Sequence, residues 1–245
     1  MSWDWQFYCN DTATGEAVAG CFGPGGKEQT YLQWMLNAWG WTLSVSLLAL
    51  LLALVVGSLI GIIRTAPNKW LARFGEAWTE LFRNIPLLVQ VFLWYHVLPS
   101  LFPVLREAVP SSVLVVFALG FFTSARIGEQ VKAGIKTLPT GQRYAGLAMG
   151  LTLPQTYRHV LLPMAFRIVI PPLTNEIILL VKDSSLVYVL GVTLSQYELT
   201  KFSQSKVVEY ASSTPLVVGG LLYLVITLPL SQLVRRLEIR HAKAR

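Results

Sequence analysis

Long apolar stretches dominate the chain, and three of them contain no charged residue: 43–63, 85–105 and 211–234. A helix that crosses the hydrocarbon core of a bilayer needs about 20 mostly apolar residues. The pattern therefore predicts membrane-spanning helices at about 41–63, 85–105 and 211–234. Gly57 and Gly61 in the first of them have the small-xxx-small spacing that allows close helix contact.

Two further apolar stretches contain charges and predict two more spans. The stretch at about 111–131 includes Arg126, and the stretch at about 166–192 includes Glu176, Lys182 and Asp183. Charged side chains are costly in hydrocarbon, so we expect these residues to contact protein or water. Together the five stretches predict an all-α, polytopic membrane protein with a transmembrane domain over 31–236.

Lysine and arginine occupy alternate connections between the predicted spans. They cluster between spans one and two, between spans three and four, and after span five: Arg64, Lys69, Arg73, Arg83; Lys132, Lys136, Arg143, Arg158; Arg235, Arg236, Arg240, Lys243, Arg245. Short cytoplasmic loops collect such cations. This predicts an extracytoplasmic segment at 1–30, a cytoplasmic loop at about 137–165 and a basic cytoplasmic tail at 237–245.

The composition agrees with a membrane protein, because 53% of the residues are hydrophobic and only 13% are charged. The net charge of +7 could indicate nucleic-acid binding. Its confinement to alternate loops and the tail instead predicts attraction to anionic membrane lipid and no nucleic-acid partner.

Cys9 and Cys21 are the only cysteines, and both lie in the segment predicted to be outside. An oxidising compartment permits a disulfide that closes this segment. Two unpaired thiols are the alternative that the sequence leaves open.

The predicted cytoplasmic loop carries signals for two short helices. Thr140 can cap a helix that ends near Met149, and Gly150 supplies a left-handed closing residue. Thr152 and Gln155 have capping-box spacing, so a second helix begins at once. The hairpin is either a docking element for another protein or a surface hairpin that packs on the membrane face.

The same loop resembles the EAA loop of ABC importer permeases, written E-A-A-x3-G-x9-I-x-L-P. The matching residues are Ala145-Gly-Leu-Ala-Met-Gly150 and, nine residues later, Val160-Leu-Leu-Pro163; Tyr144 replaces the glutamate and Gly146 the second alanine. The resemblance implies the type I ABC importer permease fold. It also implies that the residues at these positions couple to an ATPase subunit: Tyr144, Ala145, Gly146, Gly150, Leu162 and Pro163.

Further motifs are similar to the polar amino-acid branch of that family, with similarity from about residue 31 to 236. They are Phe82-Arg-Asn-Ile-Pro-Leu-Leu-Val-Gln90, Ala133-Gly-Ile-Lys-Thr-Leu-Pro-Thr-Gly-Gln142 and Val181-Lys-Asp-Ser-Ser-Leu186. Thr123-Ser-Ala-Arg126 followed by Glu129 resembles the glutamate/aspartate permeases.

The resemblance implies a set of partners and a location. We expect a second permease subunit, an ABC ATPase dimer that binds ATP and Mg, an extracytoplasmic solute-binding protein and an amino-acid substrate. The chain itself is expected to be a non-catalytic subunit without a cofactor or metal, in the bacterial cytoplasmic membrane. Its N-terminus would lie outside and its C-terminus in the cytoplasm.

Arg126, Glu129, Glu176, Lys182, Asp183 and Ser184 are the candidate residues of the substrate pathway. The Arg126 guanidinium suits a substrate carboxylate, but it could instead pair with Glu129 at i, i+3 or extend toward the cytoplasmic edge. Glu176 and Asp183 fall on one helical face, and Lys182 could neutralise either of them structurally or contact a ligand.

Two other function classes remain as alternatives. An ion-coupled secondary transporter or channel would use Glu176 and Asp183 without an ATPase. An intramembrane enzyme or assembly scaffold is the third class. His96, His159 and His241 are scattered along the chain, so we expect neither a metal cluster nor a catalytic triad.

Overall fold

A computed structural model describes residues 5–18, 21, 30–190 and 198–243. Within these residues the regular elements are helices, and the only β-type pairs are two isolated bridges near the N-terminus. The predicted all-α class is confirmed. The chain forms two compact units: Met1–Ser46 with Val181–Leu228, and Leu47–Leu180 with Pro229–Arg245.

The first half of the chain contains six α-helices. They are α1 (Tyr31–Ile63), α2 (Lys69–Asn84), α3 (Leu87–Phe92), α4 (Leu98–Leu101), α5 (Pro103–Ala108) and α6 (Ser111–Thr137). A π-helical turn, Leu93–Val97, joins α3 to α4, and a short 3-10 helix, Gln6–Cys9, precedes α1.

The second half contains α7 (Thr140–Ala148), α8 (Leu153–Thr156), α9 (Leu162–Asp183), α10 (Leu199–Tyr210) and α11 (Thr214–Lys243). A π-helical segment, Tyr157–Leu161, joins α8 to α9, and a 3-10 helix, Ser184–Leu190, follows α9.

Four helical stretches are long and apolar enough to cross a membrane: Tyr31–Ile63, Ser111–Thr137, Leu153–Leu190 and Thr214–Arg236. The helical pieces Lys69–Asn84 and Leu87–Leu101 pass the same test only as a pair, and they meet at an angle of 98°. The described residues therefore hold four candidate spans, or five if the bent pair counts as one, where the sequence predicted five.

The second span, predicted at about 85–105 and interrupted by Pro86, Pro99 and Pro103, is divided into short helical pieces. Its continuous helical part is Leu87–Leu101, which at about 1.5 Å per residue covers only roughly 22 Å. The chain is extended at Ile85 and Pro86, because a proline disfavours helical geometry in the residue before it. The Gln90 amide nitrogen donates to the carbonyl oxygens of Phe82 and Ile85 at 2.7 and 2.8 Å, which satisfies backbone groups at the bend.

Helix α2 was not predicted, because the cations of this connection drew attention away from its amphipathic pattern. Asn68 caps this helix by accepting from the backbone N–H groups of Trp70 and Leu71. The first helix begins at Tyr31, about ten residues before its predicted span. The helix of the last span continues through the predicted tail to Lys243.

Close packing of α1 on α6 organises the unit formed by Leu47–Leu180 and Pro229–Arg245. A Cβ atom added at Gly57 would lie 2.6 Å from the Ser124 carbonyl oxygen, and one at Gly61 would lie 2.6 Å from the Val131 Cβ. These two glycines therefore allow the helices to approach backbone to backbone.

The other unit packs the N-terminal segment onto helix α10 and the start of α1. Phe7 and Tyr8 are buried in a cluster with Tyr31, Met35 and Phe202. Cys9 and Cys21 are joined by a disulfide, which closes the loop of this segment.

Candidate functional site

Arg64, at the end of α1, is the centre of a buried ion-pair junction. Its side chain is only 2% exposed, and it donates from Nε to Glu76 Oε2 and from Nη2 to Glu129 Oε1, each at 2.7 Å. Lys132 Nζ lies 3.1 Å from Glu76, and Arg83 Nη1 lies 3.2 Å from Glu129. The junction ties α1, α2 and α6 together by charge.

Gly75 makes this junction possible. A Cβ atom there would lie 2.5 Å from Arg64 Cγ, so any larger residue would displace the buried arginine. Burial opposes the charged form of Arg64, but its hydrogen bonds to Glu76 and Glu129 outweigh burial and raise its pKa above the ordinary value. The guanidinium therefore remains charged in its buried position.

An open cleft of about 430 Å³ lies next to the junction. Its lining side chains are Arg83, Arg126, Glu129, Gln130, Ala133 and Glu176. Three residues of the predicted pathway set, Arg126, Glu129 and Glu176, are thus brought together here.

Within the cleft Arg126 pairs with Glu176, at 3.0 Å between Nε and Oε2. Gln130 Nε2 donates to the other oxygen of Glu176 at 2.6 Å. Glu129, the other carboxylate considered as a partner of Arg126, pairs with Arg64 and Arg83.

The cleft presents two arginines whose counter-ions are carboxylates of the protein itself. A guanidinium can donate two parallel hydrogen bonds to a substrate carboxylate, provided that it exchanges its present partner. The side chains of Glu129, Glu176 and Gln130 offer acceptor oxygens that suit an ammonium group. The arrangement can therefore bind a zwitterion with an additional negative charge.

Lys182, Asp183 and Ser184 lie at the end of α9 and the start of the following 3-10 helix, in the unit that includes Val181–Leu228. Lys182 is exposed and makes no ion pair among the described residues. Ser184 is buried and donates to the Val181 carbonyl oxygen at 2.8 Å. Asp183 is half-buried. None of the three is among the described side chains that line the cleft.

The predicted hairpin forms with one corrected cap. Pro139, not Thr140, is the N-cap residue of α7, and Met149 caps its end. Gly150 has a φ of +84°, the left-handed geometry that the sequence predicted. The Thr152–Gln155 capping box is present and begins α8.

Several of the predicted coupling residues are exposed on this hairpin. Tyr144 is 68% exposed, and the neighbouring Met149 is 83% exposed. Ala145 and Pro163 are exposed and Leu162 is half-buried, whereas Gly146 is buried against Thr156. The surface therefore carries apolar side chains without a described contact that would cover them.

Tyr157 links the hairpin to the ion-pair junction. Its hydroxyl donates to the Thr65 carbonyl oxygen at 2.7 Å, and Thr65 follows Arg64 directly in the chain. The sequence analysis did not assign roles to Arg64, Glu76 or Tyr157. The position of Arg64 directly after an uncharged span was the available signal, since an arginine there must find a partner.

Comparisons with known proteins find similar sequences and folds among membrane transport proteins. Residues 49–243 match the sequence model of a family described as "Binding-protein-dependent transport system inner membrane component". The chain is 40% identical over 200 residues to the glutamate/aspartate import permease protein GltJ of Escherichia coli strain K12, which covers 78% of this chain and 76% of that protein.

A second relative has a different substrate in its name. The probable glutamine ABC transporter permease protein GlnM of Bacillus subtilis strain 168 is 37% identical over 203 residues, covering 83% of this chain and 91% of that protein. Among solved structures, a chain in the crystal structure of an amino acid ABC transporter with histidines matches with a TM-score of 0.73 and 28% identity. That match covers 86% of this chain and 95% of the other.

Proposed function

The chain belongs to the family of binding-protein-dependent transport system inner membrane components, and we propose that it is a permease subunit of an ATP-driven importer for glutamate and aspartate. Its fold resembles that of a chain from an amino acid ABC transporter. The observation that carries the substrate proposal is the cleft in which Arg83 and Arg126 pair with carboxylates of the protein, Glu129 and Glu176.

An acidic amino acid fits this cleft better than a neutral one. Glutamate carries two carboxylates and one ammonium group, so it can replace both protein carboxylates at the two arginines. Glutamine lacks the second carboxylate and would leave one of the exchanged guanidinium groups without a counter-ion. Similarity to the glutamate/aspartate permease supports this choice, and similarity to the glutamine permease makes the amide the competing substrate.

The hairpin is the proposed contact with the ATPase subunits. Tyr144, Ala145, Gly146, Gly150, Leu162 and Pro163 would dock on an ABC ATPase dimer, which binds ATP and Mg, while this chain is a non-catalytic subunit. A second permease subunit would complete the pathway, and an extracytoplasmic solute-binding protein would deliver the substrate. The chain would lie in the bacterial cytoplasmic membrane with its N-terminus outside and its C-terminus in the cytoplasm.

The substrate proposal is tested by uptake into liposomes that contain the assembled transporter. We expect Arg126→Ala to reduce glutamate uptake by about tenfold or more, since a hydrogen bond to a charged group contributes about 1.5–3 kcal/mol. The double variant Arg126→Met/Glu176→Gln removes the ion pair as a whole and leaves no unpaired charge. We expect it to transport as poorly as the single variant.

Three outcomes would contradict different parts of the proposal. Normal glutamate uptake in the double variant would show that the pair is only structural and would overturn the proposed binding role. Glutamine uptake that exceeds glutamate uptake in the wild type would assign the transporter to the amide instead. Uptake without any ATPase subunit would support the ion-coupled transporter or channel.

Coupling is tested at two glycines of the hairpin region. A Cβ atom at either Gly141 or Gly150 would meet open space, but only Gly150 has a positive φ and lies at the turn. We expect Gly150→Asp to abolish the stimulation of ATP hydrolysis by the binding protein, and Gly141→Asp to retain it. Equal stimulation in both variants would contradict the docking role of the turn.

A further inference from the structure

Helix α2 has two faces of different chemistry. Trp70, Leu71, Phe74 and Leu81 are between 46% and 78% exposed and fall within about 100° of one another around the helix. The opposite face carries Gly75 and Thr79, which are buried, and Glu76, which belongs to the Arg64 junction.

Two cations flank the apolar face on one side. Lys69 and Arg73 are both exposed, and the guanidinium carbon of Arg73 lies 5.7 Å from the centre of the Trp70 ring. Glu80 is the exposed acid on the same flank, so the flank has a net positive charge. An apolar face bordered by lysine and arginine is typical of helices that lie at a membrane surface.

The bend after α2 supports the same orientation. The following segment, Leu87–Leu101, has no charged residue and suits the membrane interior, and it meets α2 at 98°. A helix with Lys69, Arg73 and Glu80 exposed cannot lie in hydrocarbon without a large cost. If Leu87–Leu101 enters the membrane, α2 must therefore run along the membrane surface.

We propose that α2 lies in the membrane–water interface and that Lys69 and Arg73 bind the head groups of anionic phospholipids. The side chains of Trp70, Phe74 and Leu81 would enter the outer part of the acyl region. Tryptophan and arginine suit this depth, because an aromatic ring and a long cationic side chain each bridge apolar and polar layers. On the orientation of the proposed function, the lipid leaflet is the cytoplasmic one.

This inference assigns a lipid site to a helix that also holds the junction beside the cleft. Glu76 on its buried face contacts Arg64 and Lys132, and Arg64 in turn holds Glu129 of the cleft lining. Lipid bound at the exposed face is thus only one helix diameter from charges next to the pathway.

The depth of α2 can be measured with a fluorescent label in the assembled transporter. Phe74→Cys provides an attachment site, and the two native cysteines are joined to each other and do not compete. We expect strong quenching of the label by phospholipid that carries a nitroxide at acyl carbon 5, and weaker quenching by a nitroxide at carbon 12. Quenching by neither would show that a protein subunit covers this face, and stronger quenching from carbon 12 would show that α2 crosses the membrane; both results overturn the proposal.

The lipid preference is measured with the same label in vesicles of phosphatidylcholine and phosphatidylglycerol. Nitroxide is placed on either lipid, and the ratio of the two quenching efficiencies reports the enrichment of the anionic lipid. We expect Lys69→Gln/Arg73→Gln to lower this enrichment by about fivefold per cation, which corresponds to about 1 kcal/mol for each. Added salt should reduce the enrichment in the wild type as well.

Arg235→Gln/Arg236→Gln is the matched control, because it removes the same charge from exposed positions on another helix. We expect this control to keep the wild-type enrichment at the label. An enrichment that is unchanged by Lys69→Gln/Arg73→Gln, or that falls equally in the control, would overturn the head-group site. Because the readout is quenching and not uptake, its result is independent of whether the transported solute is glutamate.

Discussion

At the scale of a residue, the buried charge of Arg64 holds neighbouring helices together. Its guanidinium has two carboxylate partners from different helices and almost no contact with solvent. Removal of one partner from a buried ion pair is strongly destabilising, because the remaining charge is left uncompensated. The junction therefore depends on the fork geometry of arginine, which a single ammonium group cannot reproduce.

We expect Arg64→Met to lower the stability of the purified protein by about 3–5 kcal/mol, because Glu76 and Glu129 would lose their shared partner. Arg64→Lys should be intermediate, since one ammonium group cannot reach both carboxylates equally. Thermal unfolding in detergent measures the difference. Arg106→Met, at an exposed position, serves as the control, and equal unfolding temperatures for the Arg64 and Arg106 variants would contradict the structural role of the junction.

Glu198, the N-cap residue of α10, makes stability depend on pH. Burial raises the pKa of Glu198 to about 7, and hydrogen bonds from Tyr223 and from the Thr200 and Lys201 backbone offset only part of this effect. The unfolded carboxyl has a pKa of 4.5, so the folded state binds the proton more tightly. The stabilisation is therefore complete below pH 4.5 and is lost as the pH rises through 7.

We expect the unfolding temperature of the wild type to fall between pH 5 and pH 8 by more than that of Glu198→Gln. Glutamine cannot ionise, and its side chain can still accept hydrogen bonds at the helix end. Thermal unfolding of both proteins at several pH values measures the difference. Parallel pH profiles for the two proteins would show that Glu198 does not titrate in this range.

Sequence analysis could identify some site residues individually but could not identify their partners. Arg126 stood out because a cation in an apolar stretch is costly. Its partner Glu176 is 50 positions away in the chain, and only the packing of α9 against α6 decides that they meet. Helical spacing could offer Glu129 only as one possible partner, and in the structure Glu129 pairs with Arg64 and Arg83.

At the scale of the elements, the sequence likewise identified the apolar stretches but not the geometry between them. Hydropathy located the five apolar stretches, because a helix that crosses a bilayer needs about 20 mostly apolar residues. It did not locate the bend after α2, although Pro86 was a visible signal for it. Helix α2 itself has an amphipathic pattern, and its partly polar composition hid it from a search for uninterrupted apolar runs.

Glycine at position 57 provides a test of helix packing at this scale. A Cβ atom there would meet the Ser124 backbone oxygen at 2.6 Å, and backbone cannot move aside as a flexible side chain can. We expect Gly57→Ala to destabilise the protein by about 1–3 kcal/mol through overpacking. The unfolding temperature in detergent measures this loss.

Gly40→Ala is the matched control, because it lies on the same helix and its added Cβ would meet nothing within 4 Å. Alanine is favoured over glycine in a helix interior by about 0.8–1.0 kcal/mol. We therefore expect Gly40→Ala to leave stability unchanged or to raise it. Similar destabilisation by both substitutions would mean that the close approach at Gly57 is not specific.

At the scale of the whole molecule, one series of contacts runs from the hairpin to the cleft within a single unit. The Tyr157 hydroxyl bonds to the Thr65 carbonyl, Arg64 precedes Thr65, and Arg64 holds Glu129 in the cleft lining. A displacement of the hairpin would therefore act first on the end of α1 and then on a charge next to the pathway.

Tyr157→Phe tests whether this series of contacts carries the coupling, because it removes the hydroxyl and keeps the buried ring. We expect the variant to assemble normally but to lose about five- to tenfold in the stimulation of ATP hydrolysis by the loaded binding protein, as one hydrogen bond contributes about 1 kcal/mol. Thr65→Val is the complementary variant, since it removes only the longer contact of the Tyr157 hydroxyl, to Thr65 Oγ1 at 3.3 Å, while the backbone oxygen that accepts at 2.7 Å remains. If Tyr157→Phe and the wild type show equal stimulation and equal uptake, the bond between the hairpin and the end of α1 is dispensable. A displacement of the hairpin must then reach the cleft through other contacts.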